Sequence, residues 1–145
     1  MDTSSDATGP PLLSHVLVPV ASEDDARATA KSLARYGPEQ VTVLHVVEKG
    51  DGAPDKTPVE QSEQIANEAF AAFRETFPDA EDRVAYGRDV VSEISSAAAA
   101  VEASAIAFRP REGGRLRKFL SGDRSLRLVT NADRPVVSLP NGENA

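Results

Sequence analysis

Short apolar runs rich in β-branched residues alternate along this chain with segments that carry helix caps, and this alternation constrains the fold more than any other feature. "HVLVPVA", His15 to Ala21, has the composition of a strand covered on both faces in a parallel sheet. It leads directly into "SEDDARATAKSLARYG". There Ser22 and Asp25 have capping-box spacing, Ala26, Ala30, Leu33 and Ala34 share a helical face, and Gly37 stands where a helix would end.

The same grammar repeats. "VTVLHVV", Val41 to Val47, is a second strand of the buried type, and the polar "EKGDGAPDK" follows as a loop. Thr57, Pro58 and Glu60 then supply an N-cap, a first-turn proline and a capping-box glutamate, and Ile65, Ala69, Phe70, Phe73 and Phe77 form an apolar stripe that ends before Pro78. "RVAYG", Arg83 to Gly87, reads as a short strand, and Asp89 caps a helix through "VVSEISSAAAAVE". "SAIAF", Ser104 to Phe108, returns as a strand. A last helix runs to about Asn131, and "RPVVSL" closes the series as a strand. Strands alternating with helices in the order βαβαβαβαβ predict an α/β fold: a Rossmann-like, doubly wound parallel sheet with helices on both faces and right-handed crossovers.

At 145 residues, 40% of them apolar, the chain fills one domain of ordinary size and leaves no room for a second. We place that domain at residues 13–140, between a flexible N-terminal arm (1–12) and a frayed tail (141–145), both polar and rich in breakers. Cysteine is absent, which excludes a disulfide framework, a thiolate zinc site and a cysteine nucleophile. No apolar run approaches the roughly 18 to 20 residues of a membrane span, and the leader lacks a basic and an apolar region, so a cytoplasmic location is expected.

Charge is distributed unevenly. The segment "RPREGGRLRKFLSGDRSLRLV", Arg109 to Val129, holds seven basic and two acidic residues, a net of +5 within a chain of net charge −7. The remaining body therefore carries −12. Four lysines against twelve arginines in an acidic body fit a protein kept soluble in concentrated salt, a look that ordinary acidic proteins share. The basic segment lies where α/β sheets commonly bind phosphate, between the end of a strand and the start of a helix. A solvated loop with internal ion pairs is the plain alternative.

The quoted strand and helix openings resemble one family across nearly the whole domain. "HVLVPVASEDDARATAKSLA", "VTVLHVVE", "GRDVVSEI" and "LSGDRSLRLVTNADRPVVSLP" are similar to the universal stress protein family. The resemblance implies a five-stranded sheet ordered 3-2-1-4-5 and a homodimer formed through the last strand. It also implies ATP as a possible ligand, because many members bind it through a glycine, two residues, a glycine, nine residues, and a glycine followed by serine or threonine.

Set against that motif, this chain departs at most positions. The first glycine falls on Arg109, the second on Glu112, the third on Gly122, and the hydroxyl residue on Asp123; Ser125 matches a family serine that faces phosphate, and Ala21 stands where a nucleotide-contacting aspartate is usual. Glycines let backbone amides approach a phosphate, whereas Arg109 and Glu112 bring side chains. Asp123 puts a carboxylate where an incoming phosphate would sit at a helix N-terminus. One expectation is that Asp123, with Glu112, pairs internally with Arg109 or Arg111 and fills the site. Gly113 and Gly114 offer the other: a shifted loop that replaces the lost glycines.

Any ligand is expected outside the carboxyl ends of the first and fourth strands. The candidate contacts are Pro19, Val20, Ala21, Val46, Arg109, Arg111, Gly113, Gly114, Arg115, Gly122, Asp123 and Ser125. The last strand, Val136, Val137, Ser138 and Leu139, is the expected dimer edge.

Other chemistry finds little support. "GxxxxGK[ST]" and "GxGxxG" do not occur, so the P-loop and the dinucleotide fingerprint are absent in their usual forms. His15 and His45 lack a metal-ligand spacing and read as packed or edge histidines; no metal is expected. Ser22 reads as an N-cap and not a nucleophile, and Asp24 and Asp25 read as residues favouring the helix dipole. No nucleophile and base pair is legible, so catalysis is not expected. Nucleic acid would require the basic cluster to dominate the field and to carry stacking aromatics, but Phe119 is the one aromatic within it.

The first functional reading is thus a cytoplasmic, dimeric, non-catalytic stress-response or regulatory protein that does not bind ATP in the usual mode and needs no cofactor. The second is a protein that binds ATP, another nucleotide or a small polyanion, with arginines replacing lost amide contacts. The third is a module docking an acidic protein partner through the basic loop.

Overall fold

The computed structural model describes residues 9–48, 59–110 and 122–140. The arm and tail read from the sequence fall partly on 1–8 and wholly on 141–145, outside the described residues, as does the predicted Thr57–Pro58 helix start.

Nine elements follow in strict alternation: β1 (Val16–Pro19), α1 (Glu23–Ala34), β2 (Val41–Glu48), α2 (Val59–Arg74), β3 (Glu81–Gly87), α3 (Val90–Ala100), β4 (Ala105–Phe108), α4 (Gly122–Asn131) and β5 (Val136–Ser138). The strands form one parallel sheet in the order β3-β2-β1-β4-β5, the order that the family resemblance implies, within the doubly wound α/β arrangement that the sequence pattern predicts. β1 pairs with β2 from Val16↔Val41 to Pro19↔Leu44 and with β4 at Val16↔Ala105 and Leu17↔Ile106.

Strand periodicity divides the core into two layers. Val16 and Val18 of β1 and Val41 and Val43 of β2 face the helices α1 and α2, meeting Ala26, Ala30, Leu33, Ala69, Phe70 and Phe73. Leu17 and Leu44 point the other way, into a cluster with Ile94, Ile106, Phe108 and Leu128 beneath α3 and α4. Central strands β1 and β4 are buried along their whole length, which explains their unbroken apolar runs.

Local chemistry sets the helix ends. The Ser22 hydroxyl accepts a bond from the Asp25 amide at 3.2 Å, capping α1, and the chain leaves that helix through Gly37 at φ +64°, a left-handed conformation suited to glycine. Asp89 caps α3 by accepting from the Val91 amide at 3.2 Å.

Several sequence expectations shift. Ile65 and Ala34 do not belong to buried stripes: Ile65 is 36% exposed and Ala34 is exposed, because α2 turns Ser62, Ala66, Ala69, Phe70 and Phe73 inward and α1 turns Asp25, Ala26, Thr29, Ala30 and Leu33 inward. α2 ends at Arg74, before Pro78 as expected, but Phe77 of the predicted stripe lies beyond the helix and stacks on Phe73 with centroids 5.3 Å apart. β3 begins at Glu81, two residues before the predicted start, and as an edge strand it leaves Tyr86 exposed.

Candidate functional site

The sheet order turns around β1 and β4. From β1 the chain crosses to β2 on one side, and from β4 it crosses to β5 on the other, so a crevice opens outside their carboxyl ends. Pro19 ends β1, and Val20 follows it fully buried, with its amide bonded to the Leu44 carbonyl at 2.9 Å. Val46 lies near the carboxyl end of β2 and is buried among the α3-side cluster. Arg109 comes directly after β4, while Gly122, Asp123 and Ser125 fall in the first turn of α4. Arg111, Gly113, Gly114 and Arg115 lie outside the described residues.

Two charges meet in the crevice. The Arg109 guanidinium lies 3.7 Å from the Asp25 carboxylate, and their side chains are only 11% and 4% exposed. Asp25 reaches back from α1 to the strand end: Oδ2 accepts from the Ala21 amide at 2.8 Å, and Oδ1 accepts from the Thr29 hydroxyl at 3.4 Å. A buried charge requires such partners, since desolvation alone would cost several kcal/mol (about that order). The side chain of Asp24, its neighbour, is 93% exposed and lies 3.5 Å from Arg27.

This ion pair was not among the sequence expectations. Arg109 meets Asp25 from α1, whereas Asp123 is exposed on α4. Its proposed companions Arg111 and Glu112 lie outside the described residues. The Asp25 carboxylate thus reaches the end of β1 from four residues further along, bonding the Ala21 amide.

Arginines of the basic segment are drawn onto the acidic body. Arg124 donates to Glu48 at the end of β2 at 2.8 Å, and Arg127 donates through both terminal nitrogens to Asp89, at 3.1 and 2.8 Å. Arg127 and its hydrogen bond hold the Asp89 carboxyl at a pKa of about 2, with help from the Ser92 hydroxyl and the Val91 amide. With Arg109, three arginines of the segment therefore tie β4 and α4 to α1, β2 and the start of α3.

Both histidines are structural in their surroundings. His45 is buried beside the crevice, its Nδ1 donating to the Val20 carbonyl at 3.3 Å; burial pushes its pKa down, and that bond opposes the shift in part. His15 Nε2 lies 2.9 Å from the Thr42 hydroxyl at the opposite end of the sheet. Among the described residues no group of three or more His, Cys, Asp or Glu is placed to hold a metal. No described helix is long and apolar enough to cross a membrane.

A model of the universal stress protein family matches residues 13–140. The chain belongs to the universal stress protein family. Its fold is also that of solved family members. The universal stress protein from Archaeoglobus fulgidus in complex with dAMP is 19% identical with a TM-score of 0.63, covering 89% of this chain and 99% of that one. A family protein from Arabidopsis thaliana with AMP bound is 16% identical with a TM-score of 0.60, covering 90% and 93%. Universal stress protein UspA from Lactobacillus plantarum is 21% identical with a TM-score of 0.61, covering 90% and 99%. No curated protein matches the sequence.

In this universal stress protein β5 forms one edge of the sheet, opposite β3. Val136 and Val137 are half-buried there and Ser138 is exposed, while the Leu139 side chain belongs to its own core. A groove of about 300 Å³ runs beside this edge, lined by Leu12, Leu33, Tyr36, Val137, Leu139 and Pro140. Sequence reading had missed Asp25, Glu48 and Asp89 as charge partners. The signal for Asp25 was available: it begins the stripe Asp25, Thr29, Leu33 on the buried side of α1.

Proposed function

We propose that this universal stress protein is a cytoplasmic, non-catalytic stress-response regulator that does not take ATP in the family's usual mode. One observation carries the reading. At the first glycine position of the nucleotide motif stands Arg109, whose guanidinium is buried against Asp25 at the switch point of the sheet. An amide-lined phosphate site needs bare backbone there, and the arginine fills that space. Asp123, exposed in the first turn of α4, adds like charge against a phosphate.

Calorimetric titration of ATP with magnesium, in moderate and in molar potassium chloride, tests this reading. We expect no saturable heat in either salt. Micromolar binding would overturn the proposal.

A second reading is supported by the neighbours that carry dAMP and AMP: the crevice takes a nucleotide or small anion by charge-assisted bonds from arginine. It requires Asp123→Ser to strengthen binding, because a carboxylate would be removed from the phosphate's path.

The proposal includes a homodimer through β5. That strand is a short apolar edge, and pairing it with its copy would cover both the edge and the adjoining groove.

A further inference from the structure

Three hydrogen-bond donors converge at the carboxyl end of β1: the Ala21 amide, the Thr29 hydroxyl and the Arg109 guanidinium. All three are turned toward one carboxylate, that of Asp25, at 2.8, 3.4 and 3.7 Å. An amide, a hydroxyl and a guanidinium facing a common point are the donors that bind oxyanions, and a carboxylate is the oxyanion the chain itself can supply. They lie at the switch point, where doubly wound sheets receive their ligands.

We infer that Asp25 is a built-in occupant of an oxyanion cradle, and that it sets the crevice's selectivity against phosphate-bearing ligands. This inference rests on the proposed reading of the crevice as closed to ATP, and assigns to Asp25 the part of that closure that falls on the donors at the end of β1. Two effects act together. The carboxylate takes the donors that a phosphate would use, and its charge repels a phosphate approaching within a few ångströms, where the buried surroundings weaken screening. With the Asp25 carboxylate removed, the Arg109 guanidinium is the cation facing the cradle. Replacing the carboxylate by an amide keeps an acceptor for Ala21 while removing the repulsion. Asp25→Asn is therefore the informative change, and Asp25→Ser, which clears more of the cradle, serves if the amide packs poorly.

AMP is the probe, with inorganic phosphate as the smaller control, each titrated into wild type, Asp25→Asn, Asp25→Ser and the double variant Asp25→Asn/Arg109→Ala. Folding of each variant is checked by circular dichroism. The expected result is an affinity for AMP at least about tenfold above wild type in one or both single variants, equivalent to about 1.4 kcal/mol, and its loss in the double variant. Phosphate should follow the same order at weaker affinity. Folded single variants that bind no better than wild type would overturn the inference, as would a double variant that keeps the gain. The two proposals fail separately. Wild type that saturates with ATP contradicts the proposed function, whereas the ratio of variant to wild type reads the role of Asp25.

Discussion

Arg127 lays both terminal nitrogens of its guanidinium on the carboxylate of Asp89, at 3.1 and 2.8 Å, while that same carboxylate caps α3 through the Val91 amide. One side chain thus ends a loop, starts a helix and fastens α4 to it. The folded-state pKa of Asp89, about 2, lies below its ordinary 3.8, so its stabilisation is complete above the unfolded value and lost as pH falls through the folded one. Asp89→Ala should cost about 1 kcal/mol near neutral pH, the usual loss of a cap. Urea unfolding from neutral to strongly acid pH checks this. The gap to wild type should narrow as the pH drops from about 4 to about 2.

His45 acts in the same sense as Asp89 but in a higher pH range. Burial lowers its pKa below 6.5, so the unfolded chain binds the proton more readily, and acidification through the unfolded value draws the equilibrium toward unfolding. Wild type should lose stability from pH 7 toward the lowered pKa, and His45→Gln should show a flatter profile over that range. Thermal melts at matched ionic strength across that range measure the difference.

The Asp25–Arg109 pair makes a separate prediction for stability. Removing one member of a buried ion pair typically costs about 3 to 5 kcal/mol. Asp25→Ala and Arg109→Ala should each fall toward that range in urea unfolding. A double variant should lose clearly less than the sum, because the residues touch.

At the sheet edge, Val137→Pro should yield monomer by light scattering if β5 pairs with its copy. Proline removes a ladder donor and cannot sit within a paired strand. Monomeric wild type at the same concentration would remove the dimer from the account.

Much of the architecture was legible because strand and helix periods are local signals. "HVLVPV" read as a strand buried on both faces and "SAIAF" as a strand from their apolar runs alone, and the caps Ser22, Asp89 and Gly37 marked where helices begin or end. The site was less legible because it depends on pairs distant in sequence. Asp25 and Arg109 are 84 positions apart, as their numbers show, and come together through the adjacency of β1 and β4. Arg124 with Glu48 and Arg127 with Asp89 likewise depend on topology. Within α1, Asp24 and Asp25 look alike in the string, and only the orientation of the helix separates a solvated carboxylate from a buried one. Ile65 shows the same limit from the apolar side: a stripe permits burial, but the packing of α2 on α1 selects which side of it is covered.

The central claim is that the crevice between β1 and β4 is closed to ATP by residues of this chain. Its most direct measurement is a titration of magnesium ATP into isotope-labelled wild type, followed through the amide resonances of Ala21 and Arg109. The account predicts no saturable shift at either amide. Saturable shifts at both, reaching a plateau at micromolar ligand, would contradict it.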